Sequence, residues 1–384
     1  MPEKNLEKPN VCFVVSAEIT VKAFLIDHIK AIEPYFDVCV VLNTNNKHFL
    51  EPFGIKIPVI RVDIKRKISP VTDVKALCKL YREFGIGKFD AVHSVTPKAG
   101  LLSMLAGVFA HIPIRIHTFT GQVWATKKGL TRWLLKSMDK LLAACATHIL
   151  VDSYSQRDFL IKQGVFNADK SSVIADGSIC GVDTDKFSPN PKAREKIRRQ
   201  LGIQESDAVF LYLGRLNRDK GLFDLAVSFR QICEKYNDVH LLIVGPDEQN
   251  MKEQIESICA PCLQKLHVVG YTDVPEAYFA AADAFCLPSY REGFGVVIIQ
   301  AASAGIPSIG TRIYGVTETI EEGITGLFYH PGNVDELISK MTEMIEKPDI
   351  RKIMGQNARI RTSEKFSKER VTKAFADYYK SLFF

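Results

Sequence analysis

Apolar residues in this chain come in short unbroken runs, and the stretches between them carry helical spacing. In the first half, "VCFVVSA", "DVCVVLN", "AVHSV", "IRIHTFT" and "HILVDS" read as strands. Helix-like patterns lie between them, as at 21–32 and 99–110. After about Phe187 the rhythm restarts with "VFLYLG", "HLLIVG", "LHVVG", "AFCLPS" and "IPSIG". Helical patterns at 222–236, 251–258, 274–282 and 297–304 alternate with these runs. The runs are continuous rather than polar–apolar alternating, as expected of parallel strands covered on both faces. Alternation of strand and helix predicts an α/β protein, and two successive sets predict two doubly wound domains.

The length of 384 residues suits two domains better than one core. The seam falls in "GVDTDKFSPNPKAREKIRRQLG", which has turn residues and two prolines before a basic helical pattern. The expected division is 1–186 and 187–365, with a closing helix over 366–384. That helix, "VTKAFADYYKSLFF", spaces its aromatics along one face. It either returns to the first domain or covers its own.

Composition adds less. Charged, apolar and aromatic fractions are those of an ordinary folded chain. Nine cysteines are scattered without a framework, which fits reduced thiols in a cytoplasmic compartment. Cys259 and Cys262 have Cys-x-x-Cys spacing but no second pair and no histidine cluster, so they read as structural. The leader "MPEKNLEKPN" is polar and mixed in charge, so no signal peptide is expected, and no segment approaches the length of a spanning helix. The formal net charge of +6 is uneven: residues 1–186 hold 25 basic and 18 acidic side chains, the rest 25 and 26. The basic excess of the first half suggests an anionic partner there. Nothing in the pattern points to nucleic acid.

Three glycine-bearing turns follow strands of the second half, where ligands of such sheets bind. In "LYLGRLNRDKG", Gly214 lets the backbone turn, and Arg215 and Lys220 follow before a helix. Two cations at a strand exit suit a diphosphate clamp, or form a solvated basic loop. In "VVGYTD", the backbone offers hydrogen bonds to a base edge and Tyr271 offers a wall. In "REGFGVVIIQ", Gly293 and Gly295 leave helix N-terminal amides accessible to an anion. Glu292 would repel a phosphate, so it suits sugar hydroxyls or complements the helix dipole. Gln300, about two turns along, is placed for ribose hydroxyls.

Taken in order, "GRLNRDKG", "AADAFCLPSYREGFGVVIIQAASAGIPSIGT" and "YGVTETIEEGITGLFYHPGNVDEL" resemble the donor site of family 4 glycosyltransferases. "HSVTPKAGLLSMLAG" and "RIHTFTGQVWAT" are similar to bacterial enzymes that build capsule, lipopolysaccharide or lipid-linked glycans. "GSICGVDTDKFSP" resembles the interdomain segment of the family. The resemblance implies the GT-B fold, two Rossmann-like domains facing a cleft, with the acceptor on the N-terminal domain and a nucleotide-sugar donor on the C-terminal one. It implies that Arg215 and Lys220 hold the donor diphosphate and stabilise its leaving charge. Glu292 matches the first glutamate of a Glu-x7-Glu motif that contacts the transferred sugar. Gly293, Phe294 and Gly295 match the turn whose amides meet sugar and phosphate. Gln300 stands where the family has its second, ribose-binding glutamate; an amide keeps hydrogen bonding but loses a charge-assisted bond.

His117 resembles the family histidine near the reaction centre, and His93 is its competitor; both are read as lying at strand ends. Thr20 and His93 are candidates on the acceptor side, with Ser16 and Lys22 beside Thr20 in a turn that lacks the family's glycines. "KKGLTRWLLKSMDKLLAAC" places Lys128, Arg132, Lys136 and Lys140 at spacings of four around Trp133. That is either a membrane-surface helix or an ordinary surface helix with its apolar face in the core. "KRK" at 65–67 would add to attraction for anionic lipid.

The reading is therefore a retaining hexosyltransferase that uses a UDP-sugar. The resemblance leans towards an N-acetylhexosamine, moved to a lipid-linked or surface-glycan acceptor at the inner face of the cytoplasmic membrane. No Asp-x-Asp metal motif is read in the chain and no cofactor is expected, so cationic side chains take a metal's place. Retention implies same-face attack with the donor phosphate assisting deprotonation. A nicotinamide oxidoreductase would show Gly-x-Gly-x-x-Gly after its first strand, and "VVSAEITVKAF" does not. A silent sugar-nucleotide or glycan-binding protein and a UDP-sugar epimerase are the alternatives.

Overall fold

A computed structural model describes residues 8–65 and 69–384. The chain divides into two compact units, one formed by 1–180 with 369–384, the other by 181–368. The leader up to residue 7, and Arg66 and Lys67 of the basic "KRK", lie outside the described residues.

In the first unit the order is β1 (Asn10–Val14), α1 (Glu18–Phe24), α2 (Ile26–Ile32), β2 (Asp37–Leu42), β3 (Val59–Arg61) and α3 (Pro70–Gly87). Then come β4 (Ala91–Val95), α4 (Pro97–Phe109), β5 (Ile114–Phe119), α5 (Gly129–Cys145), β6 (His148–Val151), α6 (Tyr154–Lys162) and β7 (Ser171–Val173). Seven parallel strands lie in the order β3-β2-β1-β4-β5-β6-β7. Alternate residues of each strand feed opposite faces. Cys12, Val14, Cys39 and Val41 join a cluster with Leu80, Leu102 and Leu142. Val11, Phe13, Val38 and Val40 join Ile29, Ile32, Phe375 and Tyr379 on the other side. Burial on both faces is why these strands carry unbroken apolar runs.

The helical pattern at 21–32 is two helices that meet at Leu25. The last helix of the chain, α14 below, supplies Phe375 and Tyr379 to this unit. Phe375 stacks on His28 with ring centroids 4.0 Å apart. The Tyr379 hydroxyl bonds His93 Nδ1 at 2.7 Å.

The second unit runs α7 (Pro191–Leu201), β8 (Ala208–Leu213), α8 (Leu222–Lys235), β9 (Val239–Val244), α9 (Lys252–Ile258), β10 (Leu266–Val269) and α10 (Pro275–Ala281). It continues with β11 (Ala284–Leu287), α11 (Val296–Ser303), β12 (Ser308–Thr311), β13 (Gly326–Tyr329), α12 (Val334–Glu346) and α13 (Pro348–Lys365). The chain closes with α14 (Lys368–Phe383), whose residues from Glu369 on belong to the first unit. The second sheet is parallel, in the order β10-β9-β8-β11-β12-β13. Chain order reverses between β8 and β11. At such a switch point the two following loops diverge to opposite faces and leave a crevice at the strand ends.

Candidate functional site: paired cations and carboxylates at the switch point of the second sheet

The loops after β8 and β11 are the two that meet at this switch point. Gly221 closes the first with φ +67°, and a Cβ there would stand 1.9 Å from the carbonyl oxygen of Pro288. Only glycine lets the loops touch. The Tyr290 amide donates to Asp219 O at 2.9 Å, and Arg291 Nη2 donates to Asp219 Oδ2 at 3.2 Å. Gly295, at φ +67°, is the N-cap of α11 and turns the chain into that helix.

This lacing brings Lys220 and Glu292 together. Lys220 Nζ lies 2.5 Å from Glu292 Oε1, and Ser289 Oγ donates to the same oxygen at 2.7 Å. Their side chains are 19% and 12% exposed, so the pair is partly shielded yet open to a ligand. Arg215 is held differently. Its Nη1 donates to both Glu248 oxygens at 3.1 Å, and its own carbonyl accepts from the Tyr212 hydroxyl at 2.8 Å. Burial, then the Glu292 charge, pushes the Tyr212 hydroxyl well above the usual phenol range, so it stays a proton donor. Phe294 turns into the core and meets Phe366 edge-on at 5.4 Å, leaving only backbone at that turn for a ligand. Gln300 lies half-buried on α11. Tyr271 is exposed, with its hydroxyl on Asp273 at 2.8 Å.

The histidines sit elsewhere than expected. His93 and His117 lie inside β4 and β5, not at strand ends, and the register pairs Ser94 with His117. His93 is a satisfied core residue: Nδ1 meets Tyr379 and Nε2 meets Thr118 Oγ1, each at 2.7 Å. Burial, then the neighbouring His117 and His28, holds it well below the usual imidazole range. His117 is fully buried under α4, where a Cβ on Gly100 would stand 2.4 Å from its Cε1. Its Nδ1 meets Ser94 Oγ at 2.8 Å, and burial pushes its pKa down to about 3. Neither ring presents a nitrogen to solvent. Thr20 is buried within α1, which removes it as an open acceptor contact.

The basic helix α5 also departs from expectation. Arg132 donates to the carbonyls of Trp124 and Ala125 at 3.1 Å, and to Gln163 Oε1 at 3.1 Å. Lys136 reaches Gln163 Oε1 at 3.0 Å, and both cations lie over the Trp124 ring. Both are only half-buried, and these bonds make them braces of the unit rather than free surface charges. The exposed side of α5 instead shows Lys128 and Lys140 beside Leu130, Trp133, Leu134 and Leu141, with Trp133 64% exposed. Among the described residues no helix is long and apolar enough to cross a membrane.

Contrary to the reading that the chain has no Asp-x-Asp motif, that spacing occurs at Asp183 and Asp185. Asp183 receives Lys368 Nζ at 2.7 Å and the Lys186 amide at 2.9 Å, so it serves a turn. Among the described residues no three His, Cys, Asp or Glu side chains gather to hold a metal ion. Sequence reasoning missed Asp219, Glu248, Ser289 and Arg291. The acidic turn "GPDEQN" after β9 was the available signal for Glu248.

Two parallel-sheet Rossmann-like domains are the architecture of the GT-B fold. Residues 193–361 match the glycosyl transferases group 1 model and residues 36–177 the glycosyl transferase 4-like domain. The chain is 31% identical over 320 residues to the capsular polysaccharide biosynthesis glycosyltransferase CapM of Staphylococcus aureus, covering 83% of each. It is 28% identical over 300 residues to an Escherichia coli UDP-Gal:α-D-GlcNAc-diphosphoundecaprenol α-1,3-galactosyltransferase, covering 77% of this chain and 76% of that enzyme. Among solved structures, Anabaena HepE with UDP and glucose matches at TM-score 0.81 and 20% identity, over 97% of this chain and 100% of that one. WaaG, a glycosyltransferase of lipopolysaccharide biosynthesis, matches at 0.72 and 16%, over 96% and 99%. The chain belongs to the group 1, family 4-like glycosyltransferases.

Proposed function

We propose that this glycosyltransferase takes a sugar from a UDP-sugar and transfers it, with retention, to a lipid-diphosphate-linked or surface-glycan acceptor. One observation carries the donor half: Lys220 and Glu292 lie side by side at the switch point, with Arg215 on the same loop as Lys220. A diphosphate needs cations and a sugar needs a hydroxyl acceptor, and this arrangement offers both within one ligand's length. As the donor bond breaks, negative charge gathers on the leaving diphosphate. We assign Lys220, Arg215 and the first amides of α11 to receive it. Glu292 holds the sugar's hydroxyls, and the phosphate itself accepts the acceptor's proton, so no protein nucleophile and no metal is required. Tyr271 and Gln300 take the base and the ribose.

The acceptor half is supported by relatives: one acts on a diphosphoundecaprenol-linked sugar and another serves capsule biosynthesis. We assign acceptor binding to the first unit, and contact with an anionic membrane surface to the exposed face of α5. Nine free cysteines suit a reducing compartment. The deciding experiment is a panel of UDP- and GDP-hexoses and N-acetylhexosamines, assayed for thermal protection and slow donor hydrolysis. UDP and one class of UDP-sugar are expected to protect, and Lys220→Ala to abolish protection. Protection by GDP-sugars alone, or by none, removes the reading.

A further inference from the structure

Glu248 has no part in the reading above, yet it occupies the cation that reading needs. Its carboxylate takes both of its hydrogen bonds to Arg215 from Nη1, and Asn217 Nδ2 approaches Oε2 at 3.4 Å. The placement is built by the backbone. The Leu216 amide donates to Pro246 O at 2.9 Å and the Glu248 amide to Leu216 O at 3.1 Å, which ties the β9 loop to the β8 loop. Asp247 then receives the amides of Gln249, Met251 and Lys252, and Asn250 turns at φ +54°. A left-handed non-glycine residue and a three-amide turn are features held by their surroundings.

The two ion pairs of the site differ in exposure. Lys220 with Glu292 is 19% and 12% exposed, whereas Arg215 with Glu248 is 43% and 34% exposed. An exposed pair exchanges readily with water and with stronger anions. A nucleoside diphosphate carries more charge than one carboxylate and displaces it. A carboxylate tethered beside the site then competes to recapture Arg215.

We propose that Glu248 is a tethered competitor of the nucleotide for Arg215: it fills the diphosphate-binding cation when the donor is absent and drives release of the nucleoside diphosphate after transfer. It is a positioning residue, not a catalytic one. The proposal rests on the donor reading of Arg215. Its sign separates it from a bracing role. A brace lost would weaken nucleotide binding, whereas a competitor lost strengthens it.

UDP titration calorimetry on the wild type, Glu248→Gln, Arg215→Ala and the double variant tests this. Glu248→Gln is expected to bind UDP about two- to fivefold more tightly, matching loss of one exposed ion pair. The gain should vanish in the Arg215→Ala background and shrink in high salt. Donor KM should fall and product inhibition by UDP should rise. Unchanged or weaker UDP binding by Glu248→Gln, while Arg215→Ala weakens it, overturns the competitor and leaves the donor site standing. UDP binding that ignores Arg215→Ala overturns both.

Discussion

Lys220 Nζ and Glu292 Oε1 stand 2.5 Å apart although 72 residues separate them, and each comes from a loop leaving the switch point of one sheet. Neither is a spare surface charge. The pair joins the group suited to a leaving phosphate with the group suited to a sugar hydroxyl. Lys220→Ala and Glu292→Gln are therefore expected to lower the transfer rate by about 10²–10³ each while donor hydrolysis falls in step. The double variant should lose little more than the worse single one, because the two act as a unit. Circular dichroism should stay that of the wild type. Transfer within a factor of two of wild type in either single variant contradicts the assignment.

Gly221 makes that meeting possible. An alanine there must hold φ +67° and place its Cβ 1.9 Å from the Pro288 carbonyl oxygen, so one loop has to retreat. Gly221→Ala should cost about 2–4 kcal/mol in urea unfolding. At temperatures where the variant is still folded it should bind UDP poorly, because the loops carrying Lys220 and Glu292 have separated. Retained UDP affinity in a destabilised variant would show that loop contact serves folding alone.

Much of this was legible in the chain. Strands buried on both faces announce themselves as apolar runs, and β1, β2, β4–β6 and β8–β12 did so. The strands missed were β3 and β7, of three residues each at the sheet edges, and β13 with its single sheet neighbour. The three-residue β3 and β7 bury too little to imprint a pattern, whereas β13 is buried throughout but only four residues long, too short a run to separate strand from helix. Arg215, Lys220 and Glu292 stood out because glycines frame them. Glu248 did not, because its partner lies 33 residues away and the loops come together only in the fold, through the pairing of Leu213 with Val244 and the Leu216–Pro246 and Glu248–Leu216 backbone bonds. The histidines misled for a related reason. A strand's apolar run does not say where it ends, and only the register places His117 beside Ser94 in mid-sheet.

Asp152, directly after β6, is buried with Oδ1 unpartnered among the described residues, and burial pushes its pKa up to about 8. The folded carboxyl keeps its proton between pH 4 and 8, while the unfolded one has released it. Folding thus binds a proton in that window, and stability falls as pH rises through it. His28 works at the acid end. Burial holds its pKa down to about 4, so the unfolded state alone gains a proton between about pH 6.5 and 4, and stability falls as pH drops. Asp152→Asn should leave the acid limb intact and remove the alkaline decline. The variant should be on the order of a few kcal/mol more stable than wild type at pH 9, and near it at pH 4.5. Parallel melting curves across that range would show that Asp152 is already ionised in the fold.

Gln300 occupies the place on α11 that we assign to the ribose. An amide there offers one neutral acceptor, and a carboxylate would accept ribose hydroxyls about twice as strongly. Gln300→Glu is expected to tighten UDP by about three- to tenfold and to lower donor KM, with kcat little changed. Looser UDP binding would place the nucleotide's phosphates, rather than its ribose, beside this residue.

The exposed face of α5 is where we propose that the enzyme meets an anionic membrane. Arg132 and Lys136 are tied to Trp124 and Gln163, so they brace the fold; the proposed membrane contact rests on Leu130 and Trp133, exposed by 77% and 64%, with Lys128 and Lys140. An apolar ridge edged by cations inserts at the headgroup boundary of anionic lipid. Each lysine near such a surface contributes about 1 kcal/mol. Reversing both in Lys128→Glu/Lys140→Glu should reduce binding to phosphatidylglycerol-containing vesicles more than tenfold at low salt, and Leu130→Ser/Trp133→Ser should reduce it at any salt. Neither pair should alter UDP binding. Arg132→Glu, by contrast, should lower the melting temperature, because it removes the donors that cap Trp124 and Ala125. Vesicle binding that survives both exposed-face variants but fails in Arg132→Glu would move the contact away from this helix face.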